Sequence, residues 1–226
     1  PAPPPPPPPP KEFAMTHARK TAGGLFLLAT AFFPACVSAY TVGINSGTRA
    51  VYLRVGTGGM SGGGGRYSAG GTPTNVTTVN TVSVTLNANA VGTGVPQAMS
   101  GNGNLVSQLD NFAFCNAGQV YIGAFMRLPA DAAAATATVR ANYAANLTNA
   151  AGDTIAMSQI SWTSSGNGDG PGQPFASGSF TGTGQAVASF GRNSWNESCF
   201  SFSYANADVV GAGTYTNRVT YTITAP

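Results

Sequence analysis

The sequence predicts an all-β domain, a two-sheet antiparallel sandwich of roughly eight to ten strands. Three observations carry this. Apolar residues recur at every second position through most of the chain, the period of a strand with one face in a core. Gly, Asn and Ser gather between those runs, where the backbone must turn. No run shows helical spacing: residues 132–135 are alanines behind Asp131, a good helix cap, yet the next residues alternate. Uneven run lengths favour two sheets over a closed barrel.

Residues 49–55 place Val51, Leu53 and Val55 on one side and Ala50, Tyr52 and Arg54 on the other. Residues 56–71, with Gly62 to Gly65 in a row, should lack regular structure, because glycine loses the most backbone freedom on ordering. Residues 81–90 read as a strand with Val82, Val84, Leu86 and Ala88 inward. A turn-rich connection follows over 92–104. Residues 105–115 and 119–128 should pair through a turn at 116–118, with Val120, Ile122, Ala124 and Met126 sharing a face. Strands are expected over 137–143 and over 155–163, the second with a bulge near Ser158 where the apolar parity changes. After a loop at 166–172 come short strands at 175–180 and 185–190. Phe200, Phe202 and Tyr204 share a face in 199–204, and Tyr215, Val219, Tyr221 and Ile223 share one in a long terminal strand, 214–224.

Residues 15–39 read as an export signal: a basic start with Arg19 and Lys20, an apolar run over 23–33, and small residues before a cut after Ala39. Residues 1–14 are a proline-rich leader outside the mature protein. Residues 40–226 then form one domain with one core, secreted, periplasmic or held at the cell surface. Cys36 would carry a lipid in a lipoprotein, but Pro34 suits that processing site poorly, so the cut at Ala39 is favoured. Cys115 and Cys199 remain, and an even count in an exported chain argues for a disulfide.

Beyond residue 39 there is no His and no Lys, and Glu197 is the one glutamate. Ser–His and Ser–Lys dyads are therefore excluded. A carboxylate-pair glycosidase has no two acids alternating within one strand. The expectation is a protein without catalysis and without a cofactor. No metal is expected either: the 166–170 stretch offers only Asp169, where calcium wants six or more oxygens. Seven arginines face six acids with no basic cluster, which gives a nucleic-acid partner no footprint. No mature stretch is apolar and long enough to span a bilayer. The densest polar stretch beside an aromatic makes Arg192, Asn193, Trp195, Asn196 and Glu197 the candidate recognition loop. Trp162 and Trp195 with Tyr52, Tyr67 and Tyr143 are either a sugar-stacking platform or buried aromatics.

The terminal segment, Ala212-Gly213-Thr214-Tyr215-Thr216-Asn217-Arg218-Val219-Thr220-Tyr221-Thr222-Ile223-Thr224-Ala225-Pro226, resembles the last strand of bacterial pilin-type immunoglobulin-like sandwiches. It is most similar to that of spore-coat-protein-U-like subunits exported by chaperone–usher systems, in its Gly-x-Tyr opening and Thr/Val alternation. The resemblance implies an immunoglobulin-like sandwich that lacks a strand and receives one from a neighbour. Residues 49–55 are then the candidate donor strand, with Val51, Leu53 and Val55 as plugs and 56–71 as linker. Alternatively, 49–55 is the domain's own first strand. The implied partners are further copies of the chain, as a homo-polymer, or a periplasmic chaperone. The expected function is that of an exported structural or adhesive surface subunit. The alternative is a freestanding binding module for a carbohydrate or protein ligand.

Overall fold

The computed structural model describes residues 42–166 and 172–226. The export signal with its cut, Cys36 and the 1–14 leader lie outside the described residues, as does 167–171 of the expected loop. The described fold is all-β, with several antiparallel sheets. Helical turns among the described residues are confined to three-residue 3₁₀ segments. Among the described residues seven strands exceed three residues: β1 (Ala50–Val55), β2 (Val120–Arg127), β3 (Thr136–Asn142), β4 (Ile160–Ser165), β5 (Gln185–Gly191), β6 (Ser194–Tyr204) and β7 (Thr220–Thr224).

The larger sheet runs β4–β6–β2–β1, with Gly178–Ser179 outside β4. The long β6 organises it. Its first half pairs with β2 from Ser194↔Met126 to Ser198↔Ile122, and its second half pairs with β4 from Ser165↔Cys199 to Ile160↔Tyr204. Val42–Gly43 and Gln97–Ala98 fill short stretches beside it. The smaller sheet runs β5–β3–β7. One apolar cluster draws on both sheets: Ile122, Ala124 and Met126 of β2 and Phe200 and Phe202 of β6 lie in it with Ala137, Val139 and Ala141 of β3 and Val187 and Phe190 of β5. Burial of such a set is the main driving force for folding.

β2 is buried on both faces, which explains why its sequence is apolar at successive positions instead of alternating. The opposite face of the larger sheet is covered by the glycine-rich segment and by residues 105–115. Here two expectations fail. Residues 56–71 are not structureless: Met60–Ser61 pairs with Thr72–Pro73, and 3₁₀ turns occupy Gly63–Gly65 and Tyr67–Ala69. Gly62 to Gly65 all take positive φ, the left-handed region that glycine enters without strain. The segment is anchored by Tyr67 and Ser68 amides donating to the Gln108 and Leu109 carbonyls. Residues 105–115 do not pair with β2. They fold back on themselves, with the Ser107 amide donating to the Phe112 carbonyl and the Phe114 amide to the Leu105 carbonyl.

Other differences are local. The expected strand 81–90 is reduced to Val82–Ser83, followed by a 3₁₀ turn at Ala88–Ala90. The parity change near Ser158 is a 3₁₀ turn, Met157–Gln159, between Thr154–Ala156 and β4. The terminal strand starts at Thr220 instead of 214. Cys115 and Cys199 are joined in a disulfide that ties the 105–115 segment to β6. Among the described residues, no helix is long and apolar enough to cross a membrane.

Candidate functional site

Two features of the fold hold groups that can act on something else. The first is a half-buried carboxylate on the outer face of the larger sheet. Register sets it up. Tyr52, Phe125 and Trp195 are directly opposed across β1, β2 and β6, so three aromatic rings form one row, with centroids 5.3–5.5 Å apart. Tyr67 lies over the row, 5.0 Å from Phe125 and 5.2 Å from Trp195. Two residues along each strand, the next row is Arg54, Gly123 and Glu197. Gly123 leaves the space that the Tyr121 phenol fills; a Cβ there would strike the Tyr121 hydroxyl. Tyr121 therefore folds over the sheet and donates to Glu197 Oε2 at 2.7 Å. Trp195 Nε1 donates to the same oxygen at 2.9 Å, and Ser107 Oγ donates to Oε1 at 2.8 Å and Oε2 at 3.0 Å.

Burial raises the Glu197 carboxyl above its ordinary 4.5, against the pull of the Trp195, Tyr121 and Ser107 donors, and the charge of Asp110 adds to the rise. Burial also holds the Tyr121 phenol well above 10, helped by the neighbouring Glu197 charge. The Tyr52 phenol is pushed up to about 12, again by burial, with the Arg54 guanidinium opposing. A carboxyl whose folded-state pKa is raised binds its proton more tightly folded than unfolded. Its contribution to stability is full below pH 4.5 and is lost as pH rises through the raised value. Melting temperature of the wild type relative to Glu197→Gln, measured across a pH series, is expected to fall as pH climbs from 4.5; parallel curves would refute the assignment.

The expected recognition loop falls on the same strand and on the turn before it. Arg192 and Asn193 form the two-residue turn between β5 and β6, and both are tied to the chain beside them. Arg192 donates to the Pro129 and Ala132 carbonyls, and Asn193 Oδ1 accepts from the Leu128 amide at 2.8 Å. Asn193 has φ 56°, which asparagine tolerates better than most residues. Trp195, Asn196 and Glu197 lie inside β6, with Trp195 1% exposed and Asn196 buried. The polar stretch is thus divided: Arg192 and Asn193 lie in a half-buried turn, and Trp195, Asn196 and Glu197 lie within the strand that follows. Of the two readings of the aromatics, Trp162, Trp195 and Tyr52 are buried, and Tyr67 and Tyr143 are half-buried.

The second feature is a cleft of about 560 Å³ where an edge of each sheet faces the other. β1 ends the larger sheet and β7 ends the smaller one. Leu53 and Val55 of β1 line one wall, and Val219 and Tyr221 line the other; all four are half-buried. Val120, Ile160, Phe180 and Phe202, all core residues, lie at the base. Thr57, Thr78 and Arg218 at the rim are exposed, so the cleft meets solvent. At one end Arg49 donates to the carbonyl of Pro226, linking the two edges.

The candidate donor strand is one wall of this cleft. Six residues of β1 pair with β2 of the same chain, from Ala50↔Arg127 to Val55↔Ile122. Its buried side chains are Tyr52 and Arg54, whereas Val51 is 52% exposed. Val51, Leu53 and Val55 are thus not free plugs in this structure, and 56–71 is not a free linker. The cleft itself escaped sequence reasoning. Its only trace was the alternation in 217–224, which identifies a strand but not an edge. Comparison of the chain with protein-family models, with curated proteins and with solved structures finds no match in any of the three.

Proposed function

We propose that the chain is an exported structural or adhesive subunit of a bacterial surface. In this reading its two main sheets form an immunoglobulin-like sandwich left open along one side, and copies assemble by β-strand addition. The observation that carries it is the cleft between β1 and β7. Two sheet edges that carry no further strand among the described residues flank an apolar base, and alternate residues on each wall are only half-buried. An unpaired edge is a template for another strand, and the apolar base rewards one with a side chain inward at every second position. β1 acts here as acceptor wall, so the incoming strand is an extended segment of a neighbouring copy other than 49–55. The disulfide, which persists in oxidising compartments, supports export.

The test is the mass of the exported, oxidised chain by size-exclusion chromatography with light scattering. A ladder of oligomers is expected, reduced to monomer by Val219→Asp, which places a charge on the cleft wall. A wild-type monomer at every concentration, melting in one cooperative step, would overturn assembly. It would favour the second reading, a freestanding binding module, for which the cleft volume is in the range of small-ligand sites.

A further inference from the structure

Between the wall β1 and the short strand at Val82–Ser83 runs a segment that the strand network leaves out. Residues 74–81 carry no strand assignment, and among the described residues 75–79 make no hydrogen bond. Both ends of the segment are fastened to residues 54–59, and the far end is held to Asn102 as well: the Thr81 amide donates to Asn102 Oδ1 at 2.8 Å and the Thr81 carbonyl accepts from the Asn102 amide at 3.2 Å. Thr74 is held by its amide and hydroxyl to the Gly59 carbonyl at 3.2 and 2.9 Å, and its own carbonyl accepts from Arg54 Nη2 at 2.6 Å. Asn80 donates through Nδ2 to the Val55 carbonyl at 2.9 Å, and its Oδ1 accepts from the Thr57 amide at 2.9 Å and the Thr57 hydroxyl at 2.6 Å. Gly56, at φ 72°, makes room for that side chain, since a Cβ there would meet Asn80.

The base is therefore fixed on 54–59 and Asn102, and none of the described hydrogen bonds holds the tip. Val76, Thr78 and Val79 of the tip line the cleft, while Val76 and Val79 remain 38% and 56% exposed. Two valines resting over an apolar cleft, with none of the described hydrogen bonds tying them to the opposite wall, have the construction of a flap. We propose that residues 74–81 are a flap hinged at Thr74 and Asn80 that covers the β1–β7 cleft and must swing away before the cleft is filled. The inference rests on the reading of that cleft as an acceptor, and it names what regulates it. The flap shields the apolar base from chance partners until a strand with enough matching side chains displaces it, so specificity is gained at some loss of affinity.

The experiment uses the exported, oxidised full chain with 1-anilinonaphthalene-8-sulfonate as the probe of exposed apolar surface. Asn80→Ala removes the side-chain bonds to Val55 and Thr57 at one end and leaves the Thr81–Asn102 pair in place. Val79→Asp loads the tip with a charge that cannot rest on the cleft, at a position too exposed to carry the fold. Each variant is expected to melt cooperatively and to bind more dye than the wild type, Asn80→Ala with an open fraction raised by about tenfold, the change that follows loss of a tether of ordinary hydrogen-bond strength. Dye binding unchanged in folded variants would overturn the flap. If Asn80→Ala fails to fold, Val79→Asp decides alone. Light scattering on the same samples separates the two readings. Raised dye binding without oligomers keeps the flap and removes the subunit reading; oligomers with unchanged dye binding keep the subunit reading and remove the flap.

Discussion

The double variant Cys115→Ala, Cys199→Ala is expected to lose about 4–5 kcal/mol of stability, the chain-entropy value for a loop of this length. The bridge spans 84 positions, so its absence releases a large closed loop in the unfolded chain. Domains of this kind have only about 5–15 kcal/mol in total, and the loss is a large share of that. The folded state suffers as well. The bridge fastens the 105–115 segment to β6 beside Tyr121, in a cluster with Phe114. That segment supplies Ser107 to Glu197 and Leu109 to the aromatic cluster. Urea unfolding of the oxidised wild type and the double variant checks this. Coincident midpoints would show that the bridge does not stabilise the fold. Both sulfurs belong to buried residues, so adding reductant to the folded wild type is the poorer test.

Much of the strand content was legible because alternation is local. Residues 49–55, 137–143 and 185–190 each bury one face, and the structure places β1, β3 and β5 there. Partners were not legible where the pairing is non-local. The turn at 116–118 invited a hairpin between 105–115 and 119–128, yet β2 pairs with strands about seventy residues away in each direction. The glycine-rich stretch misled for a related reason. Its composition reports the entropic cost of ordering, but not the aromatic surface that Tyr67 gains by covering the sheet.

The site was less legible than the fold. Alternation in β6 cannot say that its outer face is covered too, so Trp195 and Glu197 read as a solvent-facing polar stretch. A single glutamate beyond residue 39 is the available signal that Glu197 is special, but its rarity does not say that it is held by buried donors. The cleft depends on which strands end up at sheet edges. That is set by the whole topology, and the sequence of β7 alone is equally compatible with a central position.

Trp195→Ala tests that account of β6 directly. The indole is buried among Tyr52, Tyr67 and Phe125 and donates to Glu197, so truncation should cost about 3–5 kcal/mol, the range for a large aromatic lost from a core. The expected result in urea is a large drop in midpoint, or a chain that does not accumulate folded. Trp195→Phe separates the two contributions. It keeps a ring in the row but removes the Nε1 donor, leaving Glu197 with Ser107 and Tyr121 alone, at an expected loss of about 1–3 kcal/mol. A Trp195→Ala variant with wild-type stability would return Trp195 to an exposed binding role. A Trp195→Phe variant equal to wild type would mean that the indole donor does not support the carboxylate, and that packing alone holds this end of the sheet. If both variants fall in the expected order, Glu197 and the aromatic row form one structural unit that holds β6 to the segment covering it.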